Sequence, residues 1–313
     1  MEHSGHTMIV TITPNAAVDT TYTVPALVPN SSHRVSTVHS RAGGKGVNVA
    51  RVLTGQGVST LAVAFAGGAA GAELRTDLTA SGIAFDLFPV AGQTRRTVSI
   101  VAEGDATVFN EPGPLITAAE WASFRRHLGG LLADADVVVL SGSLPPGLAA
   151  DAYAELVGLA RANGCRTVLD TTGDPLLAGA AAGADVVKPN AVELREATGE
   201  SDPCTAAEAL RATGAGTVVA SLGADGLLAV GEHGRWLARP DRVVHGNPTG
   251  AGDALVAALA TGLAADHPWP YLLREAVAWS AAAVAAPLAG DLDTDALHEL
   301  RVGVTLEELR CHS

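Results

Sequence analysis

The residues best suited to chemistry lie in Asn247-Pro-Thr-Gly250-Ala251-Gly252-Asp253, just ahead of a long apolar helical stretch. Glycines at 250 and 252 let the backbone N–H groups of Gly250, Ala251 and Gly252 turn toward one point at a helix N-terminus, where an anion is stabilised. Asp253 stands in the first turn of the same helix. A carboxylate there can take a proton from a hydroxyl while the cradle holds a transferring phosphoryl group. The same residues also read as a glycine turn with an aspartate capping its helix.

Two further segments carry motifs of comparable density. Ala42-Gly43-Gly44-Lys45-Gly46-Val-Asn48 permits close backbone approach to a ligand, with Lys45 as cation and Asn48 about one turn later. It is no Walker loop, because Gly46 takes the Ser/Thr position and His39 the first glycine. A flexible helix start is the plainer reading. In Val187-Lys188-Pro-Asn190-Ala-Val-Glu193 a strand ends and a helix begins. Asn190 and Glu193 have the spacing of a capping box, and equally that of a pair orienting Mg²⁺ and its waters. Smaller signals are Asp19, Arg95, Ser141-Gly-Ser143-Leu-Pro-Pro-Gly147 and Ser221-Leu-Gly223-Ala-Asp-Gly226. Gly67-Gly68-Ala-Ala-Gly71 lacks the Gly-x-Gly start of a dinucleotide fingerprint, which argues against a Rossmann dehydrogenase.

Composition limits the partners. The formal net charge is -13, so a nucleic-acid surface, which needs clustered Lys and Arg, is not expected. Lys and Arg total 20, yet only Lys45 and Lys188 are lysines, and both fall inside these motifs. Cys165, Cys204 and Cys311 are far apart and odd in number, so a disulfide framework is not expected. His3, His6 and His312 have no metal-ligand spacing. No stretch reads as a signal peptide or membrane span, which places the protein in the cytoplasm by elimination.

Positioning these motifs requires an α/β frame. Met8–Thr13, Ser59–Phe65, Asp136–Leu140, Arg166–Asp170, Asp185–Lys188 and Thr217–Ser221 read as strands, with helical periodicity over 44–53, 70–81, 117–132, 150–163, 191–198, 205–213, 251–264 and 271–287. That alternation implies a mostly parallel sheet with helices on both faces. Residues 14–41 and 84–111 are helix-poor and read as two insertions forming one small β-sheet lid. Residues 1–13, 42–83 and 112–313 then make the core that binds nucleotide and substrate. The motifs all fall at strand carboxyl ends, where ligands gather in open parallel sheets.

Together these residues resemble the ribokinase/PfkB family of carbohydrate kinases from Thr11 to about Asp293. They are most similar to its phosphosugar branch, through Thr13-Pro-Asn15-Ala-Ala-Val-Asp19, Thr94-Arg95, Ser141–Gly147, Lys188-Pro-Asn190 and Gly250-Ala-Gly-Asp253. The resemblance implies a ribokinase-like fold and an ATP- and Mg²⁺-dependent kinase of a phosphorylated ketohexose, fructose 1-phosphate first, then tagatose 6-phosphate or fructose 6-phosphate. It implies Asp253 as base and Gly250, Ala251 and Gly252 as anion hole. Asp19, Gly44, Lys45, Asn48 and Ser143 fall on the substrate side, with Arg95 meeting the substrate's phosphate. Lys188, Asn190, Ser221, Gly223 and Gly226 fall on the nucleotide side, with Asn190 and Glu193 supporting Mg²⁺ through water. It also implies a homodimer clasped through the lid. Ala16 and Trp279 depart from the family pattern, Trp279 on the helix expected beside the adenine. A kinase of a cyclitol, nucleoside or unphosphorylated sugar and a non-catalytic sugar-phosphate sensor are the competing expectations.

Overall fold

The computed structural model describes residues 7–102 and 105–309, so His3, His6, Cys311 and His312 lie outside the described residues. The chain runs through β1 (Ile9–Thr13), β2 (Ala17–Thr23), β3 (Thr37–Gly43), α1 (Lys45–Gly55), β4 (Thr60–Ala66), α2 (Gly68–Ala80) and β5 (Phe85–Pro89). It continues with β6 (Arg95–Ala102), β7 (Asp105–Asn110), α3 (Ala118–Leu131), β8 (Val137–Ser141), α4 (Ala152–Ala162), β9 (Arg166–Asp170), α5 (Asp174–Ala181) and β10 (Val186–Val187). Then come α6 (Ala191–Thr198), α7 (Pro203–Ala212), β11 (Thr217–Ser221), β12 (Leu227–Gly231), β13 (Gly234–Arg239), α8 (Ala251–Ala264), α9 (Trp269–Ala285), α10 (Thr294–Gly303) and β14 (Thr305–Glu308).

Ten strands form one sheet in the order β14-β13-β12-β11-β10-β9-β8-β1-β4-β5. From β5 to β11 the pairing is parallel; β12 to β14 add an antiparallel edge. Parallel strands must be covered on both faces, which is why β1 and β8 are buried end to end. Their side chains alternate between two cores. Ile9, Val137 and Val139 pack beneath α1, α8 and α9, while Val10, Ile12, Val138 and Leu140 pack beneath α3, α4 and α7. Helix α8 is apolar on nearly every side because it lies between the sheet and α9. No helix among the described residues is long and apolar enough to cross a membrane.

The chain leaves β1 for β4 on one side and later returns to β8 on the other. Strand β1 is therefore a topological switch point, and the crevice beyond its carboxyl end is where such sheets bind ligands. Over that end stands a second sheet, in the order β3-β2-β6-β7, built from both insertions through the parallel pair β2–β6.

The boundaries of that lid differ from expectation at one strand. The sequence pattern places residues 84–90 in the lid, but Phe85–Pro89 pairs parallel with β4 and closes the large sheet. Leu87 packs into the core there, so local β character alone did not identify its sheet. The β-like run at 34–38 gives way to a strand at Thr37–Gly43, because the ladder with β2 runs down to Ala17–Gly43. Helix α5, α10 and β14 are additional elements. Helix α5 is hidden in a Gly/Ala run, where Gly179 lets it settle against Leu169.

Candidate active site

The N-terminus of α8 is held open. Gly250 lies at φ 88°, a left-handed conformation that favours glycine, and no side chain caps the helix. The first-turn N–H groups of Gly252 and Asp253 thus have no side-chain acceptor, and the helix end keeps its partial positive charge. A Cβ on Gly252 would lie 3.6 Å from Lys188 Nζ, so the ammonium stands directly at this cradle. Asp253 does not cap its own helix. Its Oδ2 accepts a 2.9 Å hydrogen bond from Asn48 Nδ2 on α1, joining two helices through residues 205 positions apart.

One buried carboxylate organises both lysines. Asp170, at the end of β9, is 1% exposed, and its Oδ1 pairs with Lys45 Nζ at 3.1 Å and Lys188 Nζ at 3.3 Å. Burial alone would raise its pKa, but the two ammonium groups outweigh that and hold it below the ordinary aspartate value. Asp253 goes the other way. Burial, then the negative charge of Asp170, push it up to about 7, against the Asn48 hydrogen bond and the two lysines. Lys45 is raised: its desolvation is outweighed by Asp170, Asp253 and Glu193. Two carboxylates a short distance apart are thereby driven in opposite directions, one fixed as an anion and one poised to exchange a proton near neutrality.

The lid supplies the other wall. Asp19 on β2 sits where a Cβ on Gly43 would come 1.9 Å from its Oδ2, so residue 43 has no room for a side chain. Burial raises the Asp19 pKa, opposed by Thr97, Arg95, the Gly44 N–H and Arg41. Gly44 lies at φ 100° and approaches the Thr13 methyl, which brings the start of α1 hard against β1. Arg95 donates from Nε to the Asn15 carbonyl at 3.0 Å and from Nη1 to that of Glu111 at 3.4 Å. Burial lowers its pKa. Ser143 accepts from Asn15 Nδ2 at 3.2 Å, in a loop steadied by the Tyr153 hydroxyl on the Gly142 carbonyl.

On the other side, Asn190 and Glu193 form the capping box of α6. Asn190 Oδ1 accepts from the N–H groups of Val192 and Glu193, and Glu193 Oε2 from that of Asn190. The cap uses one Glu193 oxygen, and the carboxylate is near enough to act on Lys45. Among the described residues no group of three or more His, Cys, Asp or Glu can hold a metal ion by itself. A lone carboxylate with an amide suits Mg²⁺, which keeps most of its waters and takes the rest of its ligands from phosphates. Ser221 ends β11 beside Asn190. Gly223 faces open space, whereas Gly226 abuts the Ala238 carbonyl and serves the turn into β12. Trp279, on the helix expected beside the adenine, is 4% exposed in the core, its Nε1 donating to Glu275.

The structure brings Asp253, Gly252, Asn48, Lys45 and Lys188 to one point and sets Asp19, Arg95 and Ser143 along the lid side of the same crevice. Asp170 and Asn15 were not assigned roles from sequence. For Asp170 the available signal was an acid ending an otherwise apolar strand, Arg166-Thr-Val-Leu-Asp170.

The model of the pfkB family carbohydrate kinases matches residues 8–295. A 1-phosphofructokinase of Xanthomonas campestris is 39% identical over 268 residues, covering 82% of this chain and 84% of that protein. A tagatose-6-phosphate kinase of Staphylococcus epidermidis is 33% identical over 301 residues, covering 94% and 97%. Among solved structures, phosphofructokinase-2 from Escherichia coli in complex with potassium superposes with TM-score 0.87 at 28% identity, covering 95% of this chain and 98% of that one. A possible 1-phosphofructokinase from Thermotoga maritima superposes with TM-score 0.86 at 28% identity, covering 97% and 100%.

Proposed function

This chain belongs to the pfkB family of carbohydrate kinases, and from that premise we propose that it transfers the γ-phosphoryl group of ATP to a hydroxyl of a phosphorylated ketohexose, fructose 1-phosphate foremost. Tagatose 6-phosphate and fructose 6-phosphate are the neighbouring acceptors. The observation that carries the reading is the buried Asp253, held by Asn48 at the uncapped end of α8 and poised near neutral pH.

The acceptor hydroxyl approaches Asp253 Oδ1 while Oδ2 stays on Asn48. Its oxygen forms the new bond to the γ-phosphorus as the bond from that phosphorus to the bridging oxygen of ADP breaks, and the hydroxyl proton passes to Asp253. The Gly252 and Asp253 N–H groups and Lys188 offset charge on the transferred group. Asp170 pairs with Lys188 and Lys45 and so keeps both in place. Asp19 lies where it can accept from sugar hydroxyls, and Arg95 with Ser143 where the acceptor's existing phosphate would lie. Asn190 and Glu193 would hold Mg²⁺ through water, supplying charge neutralisation on the nucleotide phosphates. The lid leaves Val38 and Phe109 exposed on one face, where a second copy would pack to form a dimer.

A coupled ADP-release assay across ketohexose phosphates, free sugars and cyclitols tests this. Turnover led by a phosphorylated ketohexose is expected. Equal or better turnover of free sugars or cyclitols would refute the acceptor class, and no sugar-stimulated ADP release would refute catalysis.

A further inference from the structure

Asn15 occupies the turn between β1 and β2, at the switch point and at the first crossing from core to lid. It is 5% exposed. Its Nδ2 donates to the Pro112 carbonyl at 3.1 Å and to Ser143 Oγ at 3.2 Å. Pro112 lies on the return crossing from lid to core, so one amide spans both crossings and the loop after β8. Its own carbonyl accepts from Arg95 Nε at 3.0 Å, and Arg95 also reaches the Glu111 carbonyl. Glu111 in turn accepts from the Arg96 N–H at 2.8 Å.

This arrangement is built at a cost. Asn15 Oδ1 is buried with no hydrogen-bond donor. Gly113, at φ 97°, makes room for it, since a Cβ there would come 2.1 Å from that oxygen. A buried unsatisfied amide oxygen is unfavourable, and a small apolar residue would fill the turn without it. The donating half of the amide must therefore offset the stranded half.

We propose that Asn15 is a positioning residue. It ties both lid crossings to the Ser143 loop and so aims Arg95 and Ser143 at the phosphate the acceptor already carries. This rests on the phosphosugar reading given above. Asn15 does not touch the reacting atoms. Its effect passes through Arg95, so it concerns recognition of the phosphorylated acceptor rather than the chemical step.

The experiment compares full-length wild type with Asn15→Ala, Asn15→Asp, Arg95→Ala and the Asn15→Ala/Arg95→Ala pair. Steady-state kinetics are measured with the best phosphorylated ketohexose, with the matching free sugar and with ATP, alongside melting temperatures. Asn15→Asp keeps the shape but cannot donate to Pro112 or Ser143. Both Asn15 variants should raise KM for the sugar phosphate about tenfold or more, with kcat and the KM for ATP within about threefold. The double variant should lie within about threefold of Arg95→Ala, because the two act through one arrangement. Multiplicative losses in the double variant, or an equal rise in KM for free sugar, mean a merely structural turn and overturn the proposal. So does an Asn15→Asp enzyme with unchanged KM, which also decides the matter if Asn15→Ala does not fold. Wild type inactive on every phosphorylated ketohexose would instead sink the underlying reading of function, and this proposal with it.

Discussion

Replacing Asn48 by Ala should move the pH dependence of catalysis rather than merely lower it. Asp253 sits at about 7 because burial and Asp170 raise it while Asn48 and the two lysines oppose them. Asn48 Nδ2 donates to the carboxylate at 2.9 Å inside a buried environment. A hydrogen bond to a charged group contributes ~1.5–3 kcal/mol, and one pKa unit corresponds to about 1.4 kcal/mol. Losing it should carry Asp253 upward by about one to two units. At pH 7 the ionised fraction then drops from about half to between ~10% and ~1%, a loss of about 5- to 50-fold. Most of that loss should be recovered by about pH 9.5. The assay is kcat/KM from pH 5.5 to 9.5 by coupled ADP release, taken as the ratio of variant to wild type. The substrate phosphate titrates near 6 in both cases and cancels. An acid-limb inflection that stays in place while the whole curve drops uniformly would refute the reasoning: Asn48 would then act on substrate alone.

Three other perturbations test the same site. Asp253→Asn should lower kcat by at least ~10²-fold, the scale of a lost general base. The folded-state pKa of Asp253 is raised, so ionising it costs stability as pH climbs from 3.8 to about 7. The variant should thus gain up to ~4 kcal/mol relative to wild type at pH 8, a gain that vanishes toward pH 4 in urea unfolding. Asp170→Asn should have the opposite character: it leaves Lys188 buried without a carboxylate and should cost ~3–5 kcal/mol. Its depressed pKa means that this stabilisation is present above 3.8 and fades as pH falls through the folded value. The same variant removes a negative neighbour of Asp253 and should move the kinetic inflection to lower pH. Gly44→Ala places a Cβ 2.9 Å from the Thr13 methyl carbon at φ 100°, and should destabilise by ~1–3 kcal/mol in a thermal melt.

Much of the frame was legible because the central parallel strands are buried on both faces and so appear as runs rich in apolar and β-branched residues, as in Ile9–Thr13 and Val137–Ser141. The helices that cover those strands show their own period or their caps, and α6 begins where its Asn190 and Glu193 spacing says it should. Legibility failed where local character did not settle the partner. Phe85–Pro89 is a strand by any local measure, yet which of two sheets it joins depends on β4, more than twenty residues upstream. Residues 34–36 are β-like as well, but the ladder to β2 sets the register and begins at Thr37.

The chemistry divides along the same line. Motif residues such as Lys45, Lys188 and Asp253 stand out because glycines that free the backbone, or a proline that fixes it, sit beside them, and that signal is local. Their electrostatic states are not. Lys45 opens α1 and Lys188 follows β10, and what makes them a unit is a single oxygen of Asp170, within 3.1 Å and 3.3 Å of the two ammonium groups. In sequence Asp170 is only an acid at a strand end. In the fold that same charge raises Asp253, through the field it adds to burial, and sets the pH range in which Asp253 can exchange a proton. A carboxylate that never meets the acceptor thus governs the one that does, because three strand and helix ends converge at a switch point of the sheet.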